Sequence, residues 1–377
     1  MSAVVRHTQT AHIRLRMKTA RQQILFATTA DRVRIAYATA GEGMPLVKAA
    51  NWFSHVQFDW QSSVWQHWHS ELARYHSYYR YDRRGCGLSD WDVEQSFEGF
   101  YADIEAVIQA LGLERFVLLG MAHGGAVAAA YAARHPEKVS HLVLYGAHAR
   151  GRRKRNPTPR QLDEIEMNLK LAEIGWGADD PSFQQFFTTQ FMPDATTEQM
   201  RAFTELQRVS TLPQFAVRHL RAVFDIDVTG LAPKIRCPTL VLHAQGDLRV
   251  PFEEGRLFAS MIPGARFVPI GGRNHFLLEQ DAAWTQFVAE LRAFLPAAAH
   301  SPQALFTDLT ARESQVLELV SQGLDNAQIA AWLELSEKTV RNHITAIFSK
   351  LEVVTRAQAI VRAREAGYPQ HLLKSSR

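Results

Sequence analysis

Cysteine is almost absent: the 377 residues contain two, Cys86 and Cys237. They fall in the separate motifs RRGCG and CPTLV, which excludes a disulfide framework and a cysteine-based metal cluster and fits a reducing cytoplasm. Long apolar runs are also missing. Residues 116–133 carry no formal charge over a length that raises a membrane-spanning reading, but three glycines and His123 in the middle argue against one. The N-terminus is basic (Arg6, Arg14, Arg16, Lys18, Arg21) yet has no apolar h-region or small-residue cleavage site, so a secretory signal is not expected. Charge of neither sign dominates. A net charge of +4 leans towards polyanionic partners but is modest for a chain of this size. No internal repeat, low-complexity tract, receiver-like motif or nucleotide-binding motif is present.

What is there is the composition of a globular protein, 46% apolar and 21% charged, at a length that suits two domains. From residue 23 to about 147, short apolar or β-branched runs (QILFATT, VRIAYAT, PLVKAA, SYYRYD, RFVLLG, HLVLYGA) alternate with helical patterns at 64–75, 97–113 and 126–133. Such alternation predicts a mostly parallel sheet wrapped by helices. Amphipathic helical stretches interrupt it at about 148–225, opened by the basic cluster GRRKR (151–155), which reads first as a solvated charge run and alternatively as a binder of an acidic ligand or DNA. The aromatic and methionine residues of this insertion (Met167, Trp176, Phe183, Phe186, Phe187, Phe191, Met192) are expected mainly in helical core packing, with an apolar cavity as the alternative. The α/β pattern resumes at CPTLVLHA and closes with a helix at 283–295. The boundaries expected are a basic tail (1–21), an α/β domain (22–296), a linker (297–308) and a small all-α domain (309–370).

The run GMAHGG (120–125) lies between an apolar strand pattern and an alanine-rich helix pattern. A nucleophile mounted on a strained strand-to-helix turn needs very small residues two positions either side, which Gly120 and Gly124 supply around Ala122. The backbone N–H of His123 faces any oxyanion beside residue 122, and a second donor is expected from NWFSH (51–55), with Trp52 the first choice. GDLRVP places Asp247 on a loop after an apolar strand, and RNH puts His275 on the loop after the last strand. An aspartate bonded to an imidazole fixes its tautomer and orientation. The position of the attacking oxygen holds Ala122. Cys86 and Ser89 read as turn residues, and Ser54 is an outside candidate for a replacement nucleophile.

Residues 22–296 resemble an α/β-hydrolase, and RYDRRGCGLSDWD (80–92) with VPFEEGR (250–256) resembles the hydrolase-fold half of bacterial regulators bearing a C-terminal DNA-binding domain. The resemblance implies that the insertion is a helical lid over the pocket. It also implies a serine at the elbow, where this chain has alanine. Two explanations of Ala122 stand open here: a native sensor that binds an ester-, lactone- or acid-like ligand without consuming it, and a serine-to-alanine replacement made to trap a substrate.

Beyond residue 309 three helix starts are written in capping residues: Thr310 with Glu313, Asp325 with Gln328, and Ser336. In the third helix Val340, Ile344, Ile347 and Leu351 form an apolar stripe, with Lys338, Arg341, Asn342, Thr345 and Ser349 opposite. Long donors on the outward face of the second helix of a helix-turn-helix suit major-groove reading. A last helix is expected from Thr355 to Ala366, ending at Gly367. Residues 309–360 resemble the LuxR-type helix-turn-helix nearly end to end. That resemblance implies DNA contacts from Lys338, Thr339, Arg341, Asn342, His343, Thr345 and Lys350, and dimerisation through the last helix onto a two-fold symmetric operator.

The expectation is therefore a cytoplasmic, homodimeric, ligand-responsive transcription regulator that uses a hydrolase-fold pocket as a small-molecule sensor, with no cofactor, metal or membrane. The alternative is a serine ester or lactone hydrolase, inactive as written because Ala122 replaces its nucleophile natively or by engineering.

Overall fold

The structure is a computed structural model; it describes residues 22–178, 180–296, 309–351, 353 and 355–365. The tail at 1–21, the linker at 297–308 and the expected helix end at Ala366 and Gly367 lie outside the described residues.

An eight-stranded sheet organises the first part of the chain: β1 (Gln23–Thr28), β2 (Arg34–Ala40), β3 (Met44–Lys48), β4 (His76–Tyr81), β5 (Phe116–Met121), β6 (Val139–Tyr145), β7 (Thr239–Ala244) and β8 (Arg266–Ile270). Their spatial order is β1-β2-β4-β3-β5-β6-β7-β8. The first two strands pair antiparallel, as do β2 and β4, and every other pairing is parallel. The sheet is thus mostly parallel, as the alternating pattern predicts. Every residue of β5 and β7 is buried, because helices cover both faces, so these strands read as continuous apolar runs.

Three helices precede the insertion: α1 (Gln66–Tyr75), α2 (Phe97–Leu111) and α3 (Gly124–Arg134). Ser96 caps α2 by accepting the N–H of Gly99, and Gly112 stops it at a left-handed φ of 62°. Alanine makes up much of α3 because it lies close against the sheet: a Cβ added at Gly125 would stand 2.4 Å from that of Ala147.

Between β6 and β7 come α4 (Pro159–Gly175), α5 (Pro181–Phe191), α6 (Thr197–Ser210) and α7 (Pro213–Phe224). Proline opens three of these helices, and capping boxes at Thr158 and Thr196 start two. The insertion is tied to the sheet domain by short bonds: the N–H of His275 donates to Phe191 O at 2.7 Å, and Thr211 Oγ1 donates to Gly85 O at 2.7 Å. Trp176, Phe187, Phe191 and Met192 are buried in its core, whereas Met167 is exposed. The basic cluster departs from a freely solvated run. Arg153 pairs with Glu166 at 2.6 Å and Asp225 at 3.2 Å, and Arg155 lies 3.6 Å from Glu254, because the turn folds back between α4 and the following acidic helix. That helix, α8 (Phe252–Met261), and α9 (Ala282–Phe294) complete the layers.

The C-terminal part is all helix: α10 (Ala311–Ser321), α11 (Asn326–Leu333), α12 (Glu337–Lys350) and α13 (Arg356–Glu365). The capping boxes at Thr310 and Asp325 are both formed, and Ser336 caps α12 through the N–H of Thr339. Glu334 takes the left-handed conformation, φ 54°, and turns α11 into α12. Val340, Ile344, Ile347 and Leu351 join Val316, Leu317, Val320 and Ile329 in a separate apolar core. Among the described residues no helix is long and apolar enough to cross a membrane.

Candidate functional site

The strand β5 delivers Ala122 onto a turn where its φ is +48°, a conformation side-chain-bearing residues seldom adopt. Its N–H is held by Tyr145 O at 3.1 Å and the residue is 6% exposed. The two flanking glycines have a steric reason. A Cβ at Gly120 would stand 2.6 Å from Gly125 Cα, and one at Gly124 would stand 2.6 Å from Ala50 O. Thus the strand, the turn and the loop after β3 meet too closely for any side chain, the geometry of a nucleophile elbow.

Asp247 follows β7 and His275 follows β8, and the fold joins them across 28 residues by a 2.7 Å contact between Asp247 Oδ2 and His275 Nδ1. A carboxylate accepts only, so Nδ1 carries the proton that it donates to Asp247. The His275 Nε2 is buried and has no hydrogen-bond partner among the described residues. The other oxygen, Asp247 Oδ1, accepts the N–H groups of Arg249 and Val250 at 2.8 and 2.9 Å. Burial by itself would raise the Asp247 carboxyl, but His275 and the surrounding donors outweigh it and hold the group below the usual carboxylate range. Gly146, at the end of β6 with φ 55°, makes room for the pair: a Cβ there would meet His275 Cε1 at 3.0 Å and Nδ1 at 3.1 Å.

Aromatic rings and further polar atoms enclose the elbow. The Trp52 ring lies 4.5 Å from that of Phe191, which lies 5.8 Å from His275. His123 stands 4.7 Å from His219. Trp52 Nε1, His123 Nε2 and both ring nitrogens of His219 are buried without a hydrogen-bond partner among the described residues. Burial first, and the Arg83 charge second, push the His123 and His219 imidazoles well below their ordinary range, so both rings are neutral. Trp52 and His123, expected to supply the oxyanion donors, lie on the loop after β3 and at the N-cap of α3.

The replacement nucleophiles are otherwise engaged. Ser54 Oγ donates to Asp82 at 2.7 Å, and the buried Cys86 Sγ donates to Arg83 O at 3.4 Å, its thiol raised to about 11 by burial. Sequence reasoning missed three neighbours of the site. His243 stands 3.5 Å from Asp247 Oδ2 and contacts Val250 O at 2.9 Å. Arg249 lies over the Phe191 ring at 4.9 Å and donates to Gln190 at 2.8 Å, and Gly146 is the third. Each sits inside a quoted motif (CPTLVLHA, GDLRVP, HLVLYGA), but nothing local marks it.

On the helix-turn-helix, α12 exposes Lys338, Arg341, Asn342 and Thr345, while Thr339 and His343 are partly buried. Thr339 Oγ1 shares a 2.8 Å bond with Ser336, and Thr345 Oγ1 donates to Arg341 O at 3.0 Å. Lys350, expected as a phosphate contact, places its Nζ 2.5 Å from Glu313 Oε2. The capping carboxylate of α10 also accepts the Thr310 N–H, and Lys350 neutralises it. Among the described residues no group of three His, Cys, Asp or Glu side chains is placed to hold a metal ion.

Residues 61–282 match the α/β hydrolase fold family, and residues 307–363 match the bacterial regulatory proteins of the luxR family. The chain is 27% identical over 265 residues to the AB hydrolase superfamily protein YisY of Bacillus subtilis, covering 66% of this chain and 91% of that protein. It is 48% identical over 60 residues to the transcriptional regulatory protein DesR of Bacillus subtilis, covering 16% of this chain and 30% of DesR. Among solved structures, an esterase from Exiguobacterium antarcticum matches with a TM-score of 0.63 at 24% identity, over 72% of this chain and 99% of that one. Identity at that level speaks for a shared fold alone. The chain belongs to the α/β-hydrolase fold family and carries at its C-terminus a DNA-binding domain of the luxR family of bacterial regulators.

Proposed function

We propose that this protein is a transcription regulator whose hydrolase-fold pocket senses a small molecule without consuming it. The observation that carries the reading is Ala122 at φ +48°. The chain keeps the strained elbow and the Asp247–His275 pair, yet presents a methyl group where an attacking oxygen belongs. A pocket of this kind retains shape and donors for an ester-, lactone- or acid-like ligand but has no group to open it. The unpartnered nitrogens of Trp52, His123, His219 and His275 support the same reading, since buried polar atoms are costly unless something bonds to them.

Trp52 and His123 offer the N–H groups to a carbonyl oxygen, and His275 faces the ligand's reacting carbon. On the other domain, Lys338, Arg341 and Asn342 read the major groove, with Thr339, His343 and Thr345 at its edge. Two copies pair through α13 and bind half-sites related by a two-fold axis. The ligand acts only by binding one arrangement of the dimer better than the other. A coupling of at least about 1 kcal/mol is required, which is a change of at least about fivefold in DNA affinity.

The test uses duplexes selected in vitro by the full chain, titrated with a panel of short esters, lactones and carboxylic acids. At least one is expected to shift DNA affinity fivefold or more and to be recovered chemically unchanged. No shift across the panel, or hydrolysis of the effective compound, overturns the reading.

A further inference from the structure

The basic run GRRKR and the motif GDLRVP lie far apart in sequence, yet their cations meet in one cavity of about 430 Å³ between α4, α5 and the Asp247 loop. Three guanidiniums line it, from Arg152, Arg155 and Arg249, against one carboxylate, Glu164. The counter-charges near them are shared. Glu164 stands 3.9 Å from Arg152 and also 3.3 Å from Arg160. Likewise Glu254 divides itself between Arg150 at 2.7 Å and Arg155 at 3.6 Å. The Arg249 guanidinium donates to a neutral partner, Gln190, and among the described residues it has no carboxylate hydrogen-bond partner. Burial, and then repulsion from Arg152 and Arg155, push its guanidinium down to about 9.

The rest of the lining mixes the polar side chains of Gln161, Asn168 and Gln190 with an apolar stretch of Ile165, Met167, Phe186 and Leu248. Met167 and Leu248, 52% and 60% exposed, form an open apolar rim to the cavity. A concave space of this volume suits a small molecule.

We propose that this cavity takes the acidic group of an amphipathic organic anion, a carboxylate or phosphate on an apolar stem, with Arg152, Arg155 and Arg249 holding the charge. Guanidiniums match both headgroups through paired N–H donors, and a second anion relieves their mutual repulsion. The stem lies along Met167, Phe186 and Leu248. The inference deepens the sensor reading and rests on it for biological purpose: the Arg249 N–H bonds Asp247, so the loop that feels the anion also holds the pair beside Ala122.

Calorimetric titration of the full chain with octanoate, octyl phosphate and octanamide tests it. At least one anion is expected to bind tenfold or more tightly than the neutral amide, and the tighter anion identifies the headgroup. The double variant R152Q/R155Q is expected to lose at least tenfold in that affinity while its thermal unfolding without ligand stays cooperative. If that variant fails to fold, the comparison of anion with amide on the unmodified chain decides alone. Equal binding of the amide, absence of binding by both anions, or undiminished binding by a folded double variant overturns the proposal. So does a double variant that loses duplex affinity but keeps its anion affinity, because its arginines then serve the DNA. Anion binding that leaves DNA affinity unchanged defeats the sensor reading and leaves the anion site standing; a DNA response to neutral ligands with no anion binding does the reverse.

Discussion

A methyl group at residue 122 stands on a left-handed turn that costs alanine about 1 kcal/mol or more relative to ordinary backbone. The surrounding packing enforces that strain, since the glycines on either side leave the strand and helix no other path. A hydroxyl added here inherits the same aim. Ala122→Ser is therefore expected to become covalently labelled by a fluorophosphonate probe, read by intact-protein mass. The parent chain is expected to stay unlabelled, and Ala122→Ser with His275→Ala should return to that state. An unlabelled Ala122→Ser protein would mean that His275 Nε2 does not face the elbow. Gly146 offers the complementary change. A methyl group there meets the imidazole at 3.0 Å on a backbone with φ 55°, so Gly146→Ala is expected to lower stability by about 1–3 kcal/mol in urea unfolding. The position of Ala122 was readable from its glycine neighbours. The demand on Gly146 was not, because the atoms that crowd it come from a loop more than a hundred residues later.

Among the elements, the recognition helix α12 divides its basic residues into two kinds. Lys338 and Arg341 are exposed, whereas Lys350 is bound to Glu313 at the first turn of α10. Replacing Lys338 and Arg341 together by alanine is expected to weaken DNA binding at least tenfold and to flatten the dependence of log affinity on log salt by about 1–2. Helix content by circular dichroism should not change. Lys350→Gln is expected to act differently, leaving the salt slope nearly intact while lowering the melting temperature, because it strips the capping carboxylate of its cation. A fall in slope equal to that of Lys338→Ala would return Lys350 to the DNA-facing set. Capping residues and the 3.6-residue stripe made these helices legible in sequence, since both depend only on neighbours along the chain. The Lys350–Glu313 pair spans 37 residues and depends on how α12 crosses α10.

At the scale of the whole molecule, the hydrolase-fold part buries an unusual set of histidines. Burial holds His67, His123, His148, His219 and His243 below their ordinary range and His69 at about 4. The folded chain thus refuses protons that the unfolded chain accepts below about pH 6.5. Stability is fully present above that value and is lost as the pH falls, each ring contributing up to about 1.4 kcal/mol per pH unit. His141, also lowered by burial, adds to this, while Asp82 and Asp103, both raised by burial, oppose it as two groups against seven. The urea midpoint followed by tryptophan fluorescence is expected to be lower at pH 5.5 than at pH 7.5. A midpoint that does not move would show that these rings accept protons in the folded state.

The chain alone determined whatever is decided between near neighbours: the apolar strands, the helix caps, the glycine-flanked elbow and the order in which Ala122, Asp247 and His275 occur. Tertiary structure decided what distant segments do to one another. It set the 2.7 Å contact of Asp247 with His275, drew Arg152 and Arg155 to the side of Arg249, and turned Lys350 inward to Glu313. The physical reason is that local propensities act through a few covalent bonds, whereas a charge finds its partner only after the sheet and its helices have buried their apolar faces. Sequence shows which side chains are available, and packing selects which of them meet.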